Sequence, residues 1–218
     1  NVPSRYDYED IALQLSEHNV DLFVGGGKKF FNKRKDKRNL LEEMTSYTFV
    51  DDFGEFKDSS SEKIGFLTYP GEPPPKNLGR EPGLDKLTEV SLRKLSKDKS
   101  FFIMIEGSQI DWGGHDNSLN YILSEFKEFD LAIAKALEFA KADGNTLVIV
   151  TADHETGGMA LSGGNVNRSR VKADFTSGEH SGSMVPVFSY GPYSELFKGI
   201  YENTAIFDKM LSAVIGKD

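Results

Sequence analysis

The sequence predicts an α/β fold, a largely parallel sheet sandwiched by helices, in one domain spanning residues 1–218. Two observations predict it. Segments with helical spacing of apolar residues alternate with short continuous apolar runs such as "VDLFV", "FFIMI" and "TLVIV", the pattern of strands buried on both faces. There is also no internal repeat and no linker to divide the chain. Helices alternating with such strands cover a parallel sheet on both sides, and sheets of this kind build their ligand sites at the carboxyl ends of the strands.

Each element follows from its own pattern. "YEDIALQLSEH" (8–18) has Ile11, Leu13 and Leu15 at helical spacing and leads into the strand "VDLFV" (20–24), closed by a "GGG" turn. "NLLEEMTS" (39–46) reads as a short helix, and "YTFV" (47–50) and "KIGFLTY" (63–69) as strands. The Pro- and Gly-rich stretch 71–83 reads as an irregular loop. Apolar residues at 84, 87, 90, 92 and 95 predict a helix over 84–98, followed by "SFFIMIEG" (100–107) as a strand buried on both faces. A long amphipathic helix over 120–144 ends at Gly144 and precedes the strand "NTLVIVTAD" (145–153). A strand "MVPVFSYG" (184–191) and a helix over 204–216 complete the pattern.

Composition removes several function classes. A net charge of -8 and a pI near 5.1 argue against a nucleic-acid partner, which would demand an excess of Lys and Arg. The basic cluster "KKFFNKRKDKR" (28–38) is local and reads as solvated surface or as a small binding patch. No stretch approaches the roughly 20 apolar residues of a membrane-spanning helix. With no cysteine, disulfides and thiolate metal sites are excluded, and any metal must be held by His, Asp and Glu.

The candidate chemistry lies at three strand ends. Behind "FFIMI", the stretch "EGSQIDWGGHDNS" supplies Glu106, Asp111 and His115; Asp111 and His115, four residues apart, share one face if a helix begins there. This is ligand spacing, although a helix start with an Asp cap has the same pattern. Gly113 and Gly114 leave little bulk, which allows a metal or substrate to approach the backbone. "VTADHETGG" sets Asp153 beside His154 behind "LVIV", and "SGEHSGSMVPVF" sets His180 before another apolar run. Singly, each reads equally as a polar loop. Together, three of the four histidines sit in Gly-flanked loops beside apolar runs, each with a carboxylate nearby. His18, in a helix, lacks that setting and reads as structural or exposed. Imidazole and carboxylate donors without thiolate suit catalytic zinc, with oxygen-rich positions suiting magnesium.

These motifs, with the opening "NVPSR", resemble the bacterial alkaline phosphatases from residue 1 to the C-terminal helix. The resemblance implies an alkaline phosphatase-like fold and a phosphomonoester hydrolase acting through a phosphoserine. It implies two zinc ions and one magnesium. Asp111, His115 and His180 become ligands of the first zinc, Asp153 and His154 of the second, and Glu106 of the magnesium. Arg5 becomes the residue that holds phosphate, its planar fork suited to two oxygens. Trp112 stands where some members carry a lysine near the magnesium, and is expected to stand behind the ligands at most. Phosphate monoesters and inorganic phosphate are the implied ligands, a homodimer the implied intact enzyme, and the periplasm or exterior the implied location.

One departure qualifies the resemblance. In full-length members the serine nucleophile, an aspartate shared by the second zinc and magnesium, and a threonine magnesium ligand precede the segment matching "NVPSR"; this chain has none of them. "GGGKKFF" cannot replace them, since it lacks P-loop spacing. The expectation is therefore the C-terminal portion of an alkaline phosphatase, with an incomplete fold. Related metal-dependent phosphodiesterases or phosphomutases, and a non-catalytic metal-binding fragment, remain as alternatives.

Overall fold

The computed structural model describes residues 2–97 and 100–216; Asn1, and Asp98 at the end of the helix expected over 84–98, lie outside the described residues. The chain divides into two compact units, Asn1–Pro74 and Pro75–Asp218, with the division inside the Pro- and Gly-rich loop.

In the first unit α1 (Tyr8–Glu17) is followed by β1 (Leu22–Gly25), α2 (Lys28–Asn32), α3 (Leu40–Glu43), β2 (Thr48–Val50), α4 (Phe53–Asp58) and β3 (Ile64–Leu67). The strands form a parallel sheet in the order β1-β3-β2, the arrangement open to strands joined through helices. β3 lies in the centre and is buried at every residue, which explains why its sequence shows no polar alternation. Ala12, Phe31, Leu40, Met44 and Leu67 form a core against which Phe23, Phe30, Tyr47 and Phe49 pack. Two short helices escape sequence reading. α2 forms at what reads as a turn, and α4 is started by Asp52, whose side chain accepts the Glu55 amide at 2.9 Å.

The second unit comprises α5 (Leu84–Leu95), α6 (Gln109–His115), α7 (Leu119–Asp143), β4 (Val148–Val150), β5 (Glu155–Thr156), β6 (Ala160–Asn165), β7 (Arg170–Asp174), β8 (His180–Ser181), β9 (Phe188–Tyr190) and α8 (Ala205–Ile215). The 25-residue α7 is its spine: α5 and α6 pack on it, and Gly144 in the left-handed conformation ends it. Two carboxylates on its inner side, Glu125 and Glu128, are buried. They are tolerated because Arg80 reaches both, Lys76 Nζ lies 2.9 Å from Glu128, and the Lys76 amide donates to Glu125 at 2.7 Å. The loop 75–83 is thereby pinned to α7.

This unit departs from expectation in three ways. The segment 101–107 has no regular secondary structure and joins no sheet ladder among the described residues, and Phe102 and Met104 are 72% and 83% exposed, so it is not a strand buried on both faces. An apolar run states that a strand would be stable when covered; it does not supply the neighbours that cover it. Second, β4 pairs with β9 antiparallel, not parallel, and both are shorter than expected. Third, β6 and β7 form an exposed hairpin that no apolar alternation announces. Among the described residues, no helix is long and apolar enough to cross a membrane.

Candidate metal centre

Asp111 and His115 stand one turn apart on α6, and β8 brings His180 to them from 65 residues beyond His115. The glycine pair explains how α6 is seated. A Cβ on Gly113 would lie 2.8 Å from the Ile122 side chain, and one on Gly114 would lie 2.8 Å from the Thr156 carbonyl oxygen. The glycines thus let α6 lie directly against α7 and β5, which replaces the reading in which they open the backbone to a metal or substrate.

His180 and His154 are positioned by the pairing of β5 with β8, only two residues each, in which Glu155 faces Ser181 and Thr156 faces His180. The pair is reinforced outside its backbone. The Ser181 hydroxyl donates to the Glu155 carboxylate, which also accepts the Gly158 and Met159 amides. The Ser181 hydroxyl first, and those amides after it, hold the Glu155 carboxyl below its ordinary range against the opposing effect of burial. As a result the His154 and His180 rings stack, with centroids 3.5 Å apart and an interplanar angle of 22°.

The three donors Asp111, His115 and His180 carry ligand atoms that all lie within 4.8 Å of one another. Nε2 of His115 and Nε2 of His180 are 3.2 Å apart, and the Asp111 oxygens lie 3.4 Å from the first and 3.5 Å from the second. A tetrahedral ion with ligands at ~2.0–2.1 Å sets those ligands ~3.3–3.4 Å from one another. The closest approach of each donor pair is therefore about the edge length of such a site, with Asp111 meeting His115 through Oδ2 and His180 through Oδ1. The chemistry fits as well: His115 Nδ1 lies 2.6 Å from the Gly178 carbonyl, an acceptor only, so Nδ1 carries the hydrogen and Nε2 keeps its lone pair toward the cluster. The side chains of Asp111, His115 and His180 are 28%, 35% and 38% exposed, which leaves a face open to an exchangeable ligand.

The other candidates lie outside that cluster. Asp153 Oδ2 is 3.2 Å from His154 Nε2, and its side chain is 83% exposed. Glu106 is exposed near the end of the segment 101–107. Arg5 is an exposed turn residue before α1, in the first unit. His18, also exposed, contacts the Gln14 carbonyl through Nδ1 at 2.7 Å near the end of α1. Sequence reading passed over Thr156, although it lies within "VTADHETGG": its hydroxyl donates to Asp111 Oδ1 and lies 3.2 Å from His154 Nδ1. A threonine two residues after a histidine carries no signal until the β5–β8 pairing is known.

The sequence pattern of a family described as "Alkaline phosphatase" matches residues 4–168 and 162–215. Alkaline phosphatase 3 of Bacillus subtilis is 31% identical over 285 aligned residues, covering 95% of this chain and 61% of its own length. The repressible alkaline phosphatase of Saccharomyces cerevisiae is 34% identical over 200 residues, covering 74% of this chain and 35% of itself. Among solved structures, the alkaline phosphatase of the Antarctic bacterium TAB5 superposes with a TM-score of 0.88 at 44% identity, covering 96% of this chain and 65% of that one. A mutant of the TAB5 enzyme with Mg bound in its M3 site gives a TM-score of 0.85 at the same 44% identity, over 95% of this chain and 64% of that one. The chain thus spans about two thirds or less of each of these relatives. With motifs, fold and a family pattern that runs nearly from end to end in agreement, the chain belongs to the alkaline phosphatase family.

Proposed function

We propose that the protein containing this chain hydrolyses phosphate monoesters, using two zinc ions, one magnesium and a phosphoserine intermediate, with residues 1–218 forming part of one catalytic domain. The observation that carries the reading is the Asp111, His115 and His180 cluster, whose closest donor separations of 3.2, 3.4 and 3.5 Å, the last two from different oxygens of Asp111, suit one tetrahedral ion. Metal ions of this class, when bound, neutralise charge on the attacking and leaving oxygens of a transferred phosphoryl group.

The chain's own residues have distinct tasks in this reading. The Gly178 carbonyl fixes the His115 tautomer, α6 holds Asp111 in step with it, and the β5–β8 pair delivers His180. Asp153 and His154 are the chain's contribution to the second zinc and Glu106 to the magnesium, a metal that the TAB5 mutant structure contains. Arg5 is the phosphate holder by resemblance. The serine, dimerisation and a periplasmic or secreted location enter through the same resemblance.

The test compares an aryl phosphate with a phosphodiester as substrates of the full-length protein, before and after zinc removal by a chelator. Monoester hydrolysis that is lost with zinc and restored by its return is expected; faster turnover of the diester contradicts the reading. In the same protein, Arg5→Ala should weaken competitive inhibition by inorganic phosphate ~10-fold or more, the scale of one charge-assisted hydrogen bond, while zinc content stays unchanged. Unaltered phosphate inhibition removes Arg5 from the site.

A further inference from the structure

We infer that Thr156 is a positioning residue that couples the two groups of metal ligands through a single hydroxyl; the inference rests on the reading that Asp111 and His154 belong to two adjacent metal sites. The hydroxyl stands between the Asp111 carboxylate and the His154 imidazole, donating to Asp111 Oδ1 and lying 3.2 Å from His154 Nδ1. A hydroxyl has one hydrogen to give. Asp111 Oδ1 accepts it, so toward His154 the same oxygen can only accept.

His154 Nδ1 must then carry a hydrogen, and its lone pair is left on Nε2. That nitrogen faces Asp153 Oδ2 at 3.2 Å, the partner with which it would share an ion. One hydroxyl thus orients the Asp111 carboxylate in the first group and selects the metal-binding tautomer of His154 in the second. Hydrogen bonds behind a ligand commonly govern metal affinity in this way, by fixing orientation and tautomer.

The placement of Thr156 is itself determined on two sides. Its backbone is in register with His180 across the β5–β8 pair. Its carbonyl oxygen and Cβ would lie 2.8 and 2.9 Å from a Cβ on Gly114, so the absence of a side chain there is what lets α6 bring Asp111 within reach. Three ligand-bearing segments therefore converge on this one residue.

The experiment is a zinc titration of the metal-free, full-length protein against a chromophoric chelator, for the wild type, Thr156→Val and Thr156→Ser. Valine keeps the shape and removes the hydroxyl; serine keeps the hydroxyl. Thr156→Val should bind zinc ~10–100-fold more weakly at both sites, the usual cost of losing a hydrogen bond behind a ligand, and Thr156→Ser should remain within about threefold of wild type. Equal loss in both variants, or wild-type affinity in Thr156→Val, overturns the inference. Nitrogen NMR of neutral His154 in the metal-free wild type provides a measurement independent of any variant's folding. Hydrogen on Nδ1 is expected, and hydrogen on Nε2 contradicts the assignment. If the wild type takes up no zinc, the metal-centre reading fails first and the role of Thr156 fails with it.

Discussion

The two units organise their residues differently. In the first, apolar side chains close on themselves: β3 is buried throughout, and Phe56, Leu40 and Ile64 have less than 2% of their surface exposed. In the second, apolar side chains in the segments before Glu106 and after His180 are exposed, Phe102 at 72%, Met184 at 81% and Phe188 at 63%. That unit buries Val90, Leu92, Ile122, Ala132, Ala140 and Phe197, and to this packing it adds polar ties: Arg80 and Lys76 to Glu125 and Glu128, Tyr121 to Gln109, Ser181 to Glu155, and Thr156 to Asp111. A buried sheet supports the first unit; in the second, hydrogen bonds of specific direction bring ligands together. The comparison predicts that each unit is most sensitive to a different kind of substitution.

The largest effects should come from removing one representative of each kind. Phe56→Ala, which empties a fully buried position stacked on Phe66 at 5.3 Å, should cost about 3–5 kcal/mol of unfolding free energy in urea. Arg80→Ala, which leaves Glu125 and Glu128 buried without their shared guanidinium, should cost a similar ~3–5 kcal/mol. If Arg80→Ala were nearly neutral while Phe56→Ala was not, the claim that polar ties hold the second unit would break.

A middle-sized effect should appear at Tyr121, whose hydroxyl donates to Gln109 at 2.7 Å and so ties α7 to the helix that carries Asp111 and His115. Tyr121→Phe should cost about 1–2 kcal/mol, since Gln109 Oε1 loses the Tyr121 hydrogen bond in a buried setting. The pH dependence sharpens the point. Burial first, and the charges of Glu125 and Asp116 after it, push the Tyr121 hydroxyl from 10.0 up to about 12. Because the folded value is raised, its contribution is complete below pH 10 and fades as pH rises from 10 toward 12. Burial raises the Tyr47 hydroxyl as well, so tyrosinate absorbance followed against pH should show late-titrating tyrosines from which one component is lost in Tyr121→Phe. The smallest effect should be Phe102→Ser in the 218-residue chain: with 72% of the residue already exposed, stability should change by no more than about 0.5 kcal/mol in urea.

Much of this was legible in the sequence, for physical reasons that differ by element. α5 and α7 are long enough for a 3.6-residue period to stand out, and β1 and β3 are apolar on both faces because both faces are covered. The segment 101–107 carries the same apolar signal without a ladder, since hydrophobicity records a preference for burial and not the identity of the neighbouring strand. The β6–β7 hairpin was hidden because its hydrogen bonds are backbone to backbone across an exposed ribbon containing Gly163 and Gly164. At the site, Asp111 and His115 were readable from helical spacing. The approach of His180 came from the family resemblance and not from spacing, because it depends on strands of two residues, too short to leave a pattern. Thr156 was invisible for the same reason.

Whether Asp111, His115 and His180 hold one metal ion is decided by diffraction from zinc-loaded crystals of the full-length protein, recorded across the zinc absorption edge. An anomalous peak bonded to Asp111 and to Nε2 of both histidines at ~2.0–2.2 Å is expected. Zinc bound elsewhere, with no peak inside that cluster, would contradict the assignment.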